Sequence, residues 1–186
     1  MSPWTPYSPG ERTYPVLSKD LARQLSLIAP SGDGQIVYHP CAVVLLDGSV
    51  HERVYVQSAQ EYISMWGVWP EDDPGKRSVD VSQVVTIRES ADRLPSAIAR
   101  AIYAGGESGM GYTVFTLVFR DGSTQAYVSG NAVDFVTYPA GKSFQDVESV
   151  IPHRGRNDHP SSDSLPYAWC LHGSGVSTLA SKRWTG

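Results

Sequence analysis

The residues that come closest to a catalytic motif lie in a glycine-rich stretch, AGGESGMGY at 104–112. This stretch holds Glu107 and Ser108 among four glycines. The nucleophile turn of α/β-hydrolases requires Gly-x-Ser-x-Gly between a strand and a helix. Here Gly106 stands two residues before Ser108, but Met110 stands two residues after it, and the predicted helix precedes the strand. We therefore interpret the glycines as a helix end and a flexible connection to the next strand.

A phosphate-binding role is also disfavoured for this loop, because anions bind at helix N-termini and the loop follows a helix C-terminus. One enzymatic alternative stays open. Glu107 and Ser108 could act with a histidine of the C-terminal segment, His153 or His159, in a small hydrolase or transferase. That alternative requires these side chains to converge in one pocket.

Neither a metal nor a cofactor is expected from the sequence. Cys41 and Cys170 are far apart and lack the spacing of a zinc or redox motif, so we predict two buried free thiols. The histidines near the C-terminus lie in a segment without periodicity, whereas metal ligands need a rigid scaffold. We interpret that segment as a solvated loop.

The second candidate site is aromatic and acidic, in the stretch SMWGVWPEDDPGK at 64–76. Two adjacent carboxylates could cleave a glycoside, but neighbouring carboxylates in a loop usually point apart into water. Aromatic residues beside charges are favoured in protein interfaces. The stretch therefore predicts a protein-binding surface, with a loop that caps the core as the alternative. Its members are Trp66, Trp69, Glu71, Asp72 and Asp73.

Composition and charge narrow the range of partners. Hydrophobic residues make up 41% and charged residues 18% of 186 residues, which is typical of a globular domain. A net charge of −4 argues against binding to nucleic acid or anionic membranes and suits a basic protein partner. No apolar run approaches the roughly 18 residues of a membrane span. The N-terminus shows no secretory signal pattern, so a cytoplasmic location is expected.

The pattern of turns and apolar residues predicts an α+β fold in one domain dominated by antiparallel sheet. A barrel-like or strongly bent sheet is one alternative. Strands flank two Asp-Gly-Ser turns, at 47–49 and 121–123, and the surrounding sequences resemble each other enough to raise an internal duplication. Helices are predicted after Ser18, after a capping box at Ser58 and at Pro95, with a further strand at 132–138 and a short helix at 143–150.

The chain divides into three predicted segments. Residues 1–16 form an extended proline-rich arm held by aromatic residues such as Tyr14, and residues 17–150 form the core domain. Residues 151–186 are predicted to be an irregular tail, with folding back onto the core as an open alternative. Together these features favour a non-enzymatic protein-binding or accessory module. Homo-oligomerisation through an unpaired strand edge is compatible with that function.

Overall fold

Each of the two sheets contains a hairpin that an Asp-Gly-Ser turn closes. The glycine of each turn has a left-handed backbone, with φ of 82° at Gly48 and 83° at Gly122, a conformation that costs glycine little. The carboxylate of Asp47 accepts the N–H of the serine two residues later at 2.8 Å, and that of Asp121 does so at 3.1 Å. The same local chemistry therefore closes both hairpins.

The computed structural model describes residues 10–32, 36–153 and 165–174. The helices within this part are α1 (Lys19–Ser26), α2 (Ala59–Trp66) and α3 (Ser96–Gly105). The strands are β1 (His39–Leu45), β2 (Val50–Ser58), β3 (Val84–Arg88), β4 (Thr113–Phe119), β5 (Thr124–Ser129), β6 (Val147–Pro152) and β7 (Ala168–His172). One sheet has the order β3-β1-β2-β7 and the other β5-β4-β6.

The predicted α+β class is confirmed, because three helices accompany two mostly antiparallel sheets. The exception is the β2–β7 pairing, which is parallel. The two sheets do not close into a barrel. No helix in the described ranges has the length and apolar character that a membrane crossing would require.

Each hairpin acquires a third strand in the same way. β1 lies between β2 and β3, and β4 lies between β5 and β6. The pairing with the third strand shifts register between Val44 and Leu45 in β1 and between Val118 and Phe119 in β4. Each shift lies at the same distance before the aspartate of the turn. The residue before each aspartate then donates its backbone N–H to a carbonyl oxygen of the 3-10 turn that precedes the third strand. Leu46 donates to Gln83 at 2.8 Å, and Arg120 donates to Asp146 at 2.9 Å. With α1 packed on β3 and α3 on β6, the described residues form two αβββ units with the same strand order, and α2 is inserted between the second and third strands of the first unit.

The three helices begin and end close to where local signals predict. The hydroxyl of Ser18 accepts the Leu21 N–H at 3.2 Å at the start of α1. Gly67 ends α2 with a φ of 67°. The predicted capping box at Ser58 does not form, since Ser58 is the last residue of β2 and pairs with His172.

Three segments differ from the prediction because pairing between distant residues overrides local preference. Residues 143–150 form a 3-10 turn and most of β6 instead of a helix, since Val147 and Val150 pair with β4. Residues 132–138 form no strand, and their backbone bonds to residues 92–94 instead. Part of the predicted irregular tail is ordered, because 168–172 is the apolar strand β7 beside β2.

Among the residues that the structure describes, three clusters of buried side chains form the core. One lies under the first sheet and contains Cys41 and Cys170, both buried and unbonded to each other, and another lies under the second sheet. The third is aromatic and is centred on Trp169, which is 1% exposed. The Trp169 ring centroid lies 5.1 Å from that of Tyr55, which in turn lies 5.0 Å from Phe135. Since Phe135 comes from the second αβββ unit, this cluster joins the two units.

A buried carboxyl accompanies the aromatic cluster. Asp134 is fully buried, and its Oδ2 accepts the hydroxyls of Tyr103 at 2.8 Å and Tyr55 at 3.4 Å. Its carbonyl oxygen accepts the Leu94 N–H at 2.8 Å, just before α3. Burial raises the pKa of Asp134, and hydrogen bonds to its carboxyl, together with the charge of Arg93, oppose that rise only in part.

We expect Asp134→Asn to flatten the dependence of stability on pH. The pKa of this carboxyl is higher in the folded than in the unfolded chain, so its stabilisation is full below the unfolded pKa and is lost as pH rises through the folded pKa. The free energy of unfolding of the wild type should therefore fall more than that of the variant between about pH 4 and pH 8. Denaturant titrations measure this, with the exposed change Glu148→Gln as control. An equal fall in both chains would contradict the assignment.

Candidate functional site

The loop after α2 presents two carboxylates at the surface while it buries its tryptophan. Gly67 turns the chain out of α2, and Pro70 begins the 3-10 turn Pro70–Asp72. Trp69 is 6% exposed and belongs to the aromatic cluster, so its ring supports the surface from beneath. Glu71 and Asp72, on the turn itself, are partly exposed.

The described part of the N-terminal arm, residues 10–16, crosses this surface. The indole N–H of Trp69 donates to the carbonyl of Gly10 at 2.9 Å, and the Tyr14 ring lies 5.4 Å from the Trp69 ring. The end of the arm is fixed by Gly173, which follows β7 and donates its N–H to the carbonyl of Pro15 at 2.9 Å. A Cβ on Gly173 would collide with the Tyr14 carbonyl oxygen, so the close approach requires glycine.

Two arm side chains bind the carboxylates. The guanidinium of Arg12 lies 3.4 Å from Glu71 Oε2 and 2.5 Å from Asp72 Oδ1. The Tyr14 hydroxyl donates to the same Glu71 oxygen at 3.0 Å. Burial, and then the charge of Glu71, raise the pKa of Tyr14 well above its usual range, so the phenol remains a donor. We call the surface formed by Trp69, Glu71, Asp72 and Gly173 the arm site.

The other two predicted binding residues, Trp66 and Asp73, lie near Lys76. The Lys76 ammonium lies 4.3 Å from the Trp66 ring, a cation–π arrangement. Burial lowers the pKa of Lys76, and the nearby charge of Asp73 opposes this. The Asp73 carboxylate also accepts the Gly75 N–H at 3.0 Å. Three of the five predicted binding residues therefore contact the arm, and two lie beside it.

The hydroxyl of Ser108 is used to hold two strands together. It accepts the Val114 N–H at 2.8 Å and lies 2.7 Å from the carbonyl oxygen of His153, to which it donates. The imidazole of His153 instead lies 2.7 Å from the Thr116 hydroxyl. Ser108 is 8% exposed, so it joins the start of β4 to the end of β6 inside the protein.

The side chains of Glu107, Ser108 and His153 bond to other groups and not to one another. The exposed Glu107 carboxylate accepts the Gly111 N–H of its own loop at 3.2 Å. Ser108 meets the backbone of His153 and not its ring. The fourth residue of the enzymatic alternative, His159, lies outside the described residues. The glycine-rich loop itself connects α3 to β4, as the sequence predicts.

A cleft brings together the two stretches that the sequence analysis singled out. A cavity of about 130 Å³ is lined by Trp66 of α2 and by Glu107 of the glycine-rich loop. The rings of Trp169 and Tyr103 complete its aromatic wall. Within the described part of the chain, no group of three or more His, Cys, Asp or Glu side chains could hold a metal ion.

Sequence reasoning did not identify Arg12 or Gly173 as parts of a site. A single arginine in an irregular arm gives no periodic signal, and Gly173 lies far along the chain in a segment predicted to be irregular. The one available signal was the cluster of carboxylates at 71–73, which calls for a cation but does not say which one. The arm's aromatic anchoring was expected, and Tyr14 provides it.

Gly173→Ala should loosen the arm. The added Cβ meets backbone at Tyr14, and overpacking of this kind costs about 1–3 kcal/mol. We therefore expect trypsin to cleave after Arg12 about five-fold faster or more, because cleavage follows the population of the opened arm. Gly10→Ala is the matched control, since nothing lies within 4 Å of a Cβ at that position. Equal cleavage rates in the two variants would show that Gly173 does not fix the arm.

Ser108→Ala should destabilise the fold by about 1–3 kcal/mol, because the buried Val114 N–H loses its acceptor. Chemical denaturation measures this loss. Ser149→Ala, at an exposed position of β6, is the control and should change the stability little. A neutral effect of Ser108→Ala would contradict the structural role of this hydroxyl.

The chain matches no protein-family model, no curated protein and no solved structure.

Proposed function

We propose that the protein is a non-enzymatic binding module that recognises a basic segment of another protein through the arm site. The observation that carries this proposal is the seating of Arg12 and Tyr14 on Glu71 and Asp72. The arm contributes a cation, a phenol and the Gly10 carbonyl, and each has a partner on the body of the protein. Those partners belong to the surface that the sequence predicts to bind protein.

The electrostatics of the arm site support a basic partner. The chain carries a net charge of −4, and Glu71 and Asp72 are adjacent carboxylates on one short turn. Adjacent like charges at a surface attract an opposite charge, which speeds association and selects the partner more than it adds affinity. Tryptophan, tyrosine and arginine, which meet where the arm contacts the arm site, are enriched at the energetic centres of protein interfaces.

The construction of the site supports binding more than chemistry. Glu71 and Asp72 hold a guanidinium, and Trp69 and Gly173 hold backbone carbonyls, so each group acts as a hydrogen-bond or ion-pair partner. The two carboxylates lie beside the rigid aromatic core through Trp69. A partner would therefore meet a surface whose geometry exists before binding, which limits the entropy that binding costs.

Selection from a displayed library of random peptides against the full chain tests this function. We expect the enriched peptides to contain arginine and aromatic residues. Glu71→Lys or Asp72→Lys should each weaken their binding by about ten-fold or more, because the reversal replaces an attraction with a contact between like charges. Glu148→Lys on β6 changes the net charge equally and should leave the binding unchanged. A library without enriched peptides, or peptides that bind all three variants as they bind the wild type, would overturn the proposal.

A further inference from the structure

The contacts of the arm indicate which kind of peptide the arm site recognises. We infer that residues 10–16 are the intramolecular ligand of the arm site, and that a partner binds by replacing them with an extended segment that carries arginine two residues before tyrosine. This inference rests on the proposed function and adds the sequence of the recognised segment and the way in which access to the site is controlled.

The contacts define a spacing along the recognised segment. Side chains two residues apart in an extended chain point to the same face, and Arg12 and Tyr14 do so onto the same carboxylate, Glu71. The backbone adds two further points, because the carbonyl two residues before Arg12 accepts the Trp69 N–H and the carbonyl three residues after it accepts the Gly173 N–H. The spacing Arg-x-Tyr between these carbonyls therefore describes the ligand.

The arm is held by contacts of the kind that exchange easily. The side chains of Arg12, Glu71 and Asp72 are 38%, 34% and 33% exposed, and ion pairs at such exposure contribute little to stability. Residues 10–15 belong to no helix or strand, and Val16 forms an isolated bridge with Gly173. A second peptide with the same groups could thus replace the arm one contact at a time.

An unoccupied arm site would be unfavourable, which favours replacement over simple opening. When the arm leaves, the part-buried Trp69 indole N–H loses its hydrogen bond to the Gly10 carbonyl. A partner segment restores that hydrogen bond through its own backbone carbonyl. The site therefore selects for an extended peptide and not for a free cation, which has no carbonyl to offer.

Because the arm is covalently attached to the protein, it competes with any outside peptide for the arm site. A segment on a short connection has an effective concentration in the millimolar range, so an outside peptide binds the intact chain more weakly than it binds a chain whose arm is released. Arg12→Glu releases the arm by opposing Glu71 and Asp72 while it leaves the arm site itself unchanged. The double change Arg12→Ala with Tyr14→Ala is a second, independent way to release it.

The experiment uses a fluorescent peptide of residues 10–17, GERTYPVL, titrated with full-length protein while its anisotropy is measured. We expect both arm-release variants to bind it about ten-fold more tightly than the wild type does, as competition with a tethered segment requires. The same peptide with Arg12→Ala or with Tyr14→Ala should lose most of the binding to either variant. Near-ultraviolet circular dichroism confirms that the variants keep their aromatic core.

Two results would overturn the inference: no binding of the peptide to either correctly folded release variant, or equal binding to these variants and to the wild type. The first would mean that the arm is part of the fold alone, and the second that the arm does not compete. If library peptides still require Glu71 and Asp72 while GERTYPVL fails to bind, the proposed function stands and only this inference falls.

Discussion

The parallel pairing of β7 with β2 is the interaction on which the rest of the structure depends. Five residue pairs, from Val54–Ala168 to Ser58–His172, align the two strands. The pairing buries Trp169, and the outer side of β7 bonds to residues 77–79 through Trp169 itself. The residue after β7 is Gly173, which fixes the arm. A segment from near the C-terminus thus organises the aromatic core and the surface around the arm at once.

The aromatic core explains how two similar units make one body. Each αβββ unit buries its own aliphatic cluster, and the third cluster lies between them. Tyr55 from the first unit and Tyr103 from the second both donate to Asp134. Hydrogen bonds to one buried acceptor fix a relative orientation that apolar contact alone would leave free. The shared carboxyl therefore gives the union of the two units its specificity.

The sequence predicts what local chemistry determines. Both Asp-Gly-Ser turns, the start of α1 at Ser18 and the end of α2 at Gly67 depend on residues within a few positions of one another, and all four are found where they were expected. β6 and β7 could not be predicted, because their partners lie far away in sequence and their own residues carry mixed signals. For β7, flanking proline and serine residues conceal a short apolar strand.

Only the acidic half of the candidate site could be predicted from the sequence, and its partner in the arm could not. Carboxylates beside tryptophans indicated a surface for a cation, whereas the choice of Arg12 depends on the path of the arm, which the docking at Gly173 determines. The structure also shows a contact between Ser108 and His153 that differs from the catalytic pairing left open by the sequence. Ser108 and His153 are neighbours through a backbone carbonyl, a relation that no spacing in the sequence could distinguish from a catalytic pair.

The two cysteines give the molecule a practical property. Burial raises the pKa of the Cys41 thiol far above its usual range and that of Cys170 to about 12, and both side chains are shielded from solvent. Only the thiolate reacts with maleimides and similar reagents, so the folded chain is chemically silent toward them. A single cysteine introduced at the surface would then carry a dye or spin label at one known position, without removal of either native thiol.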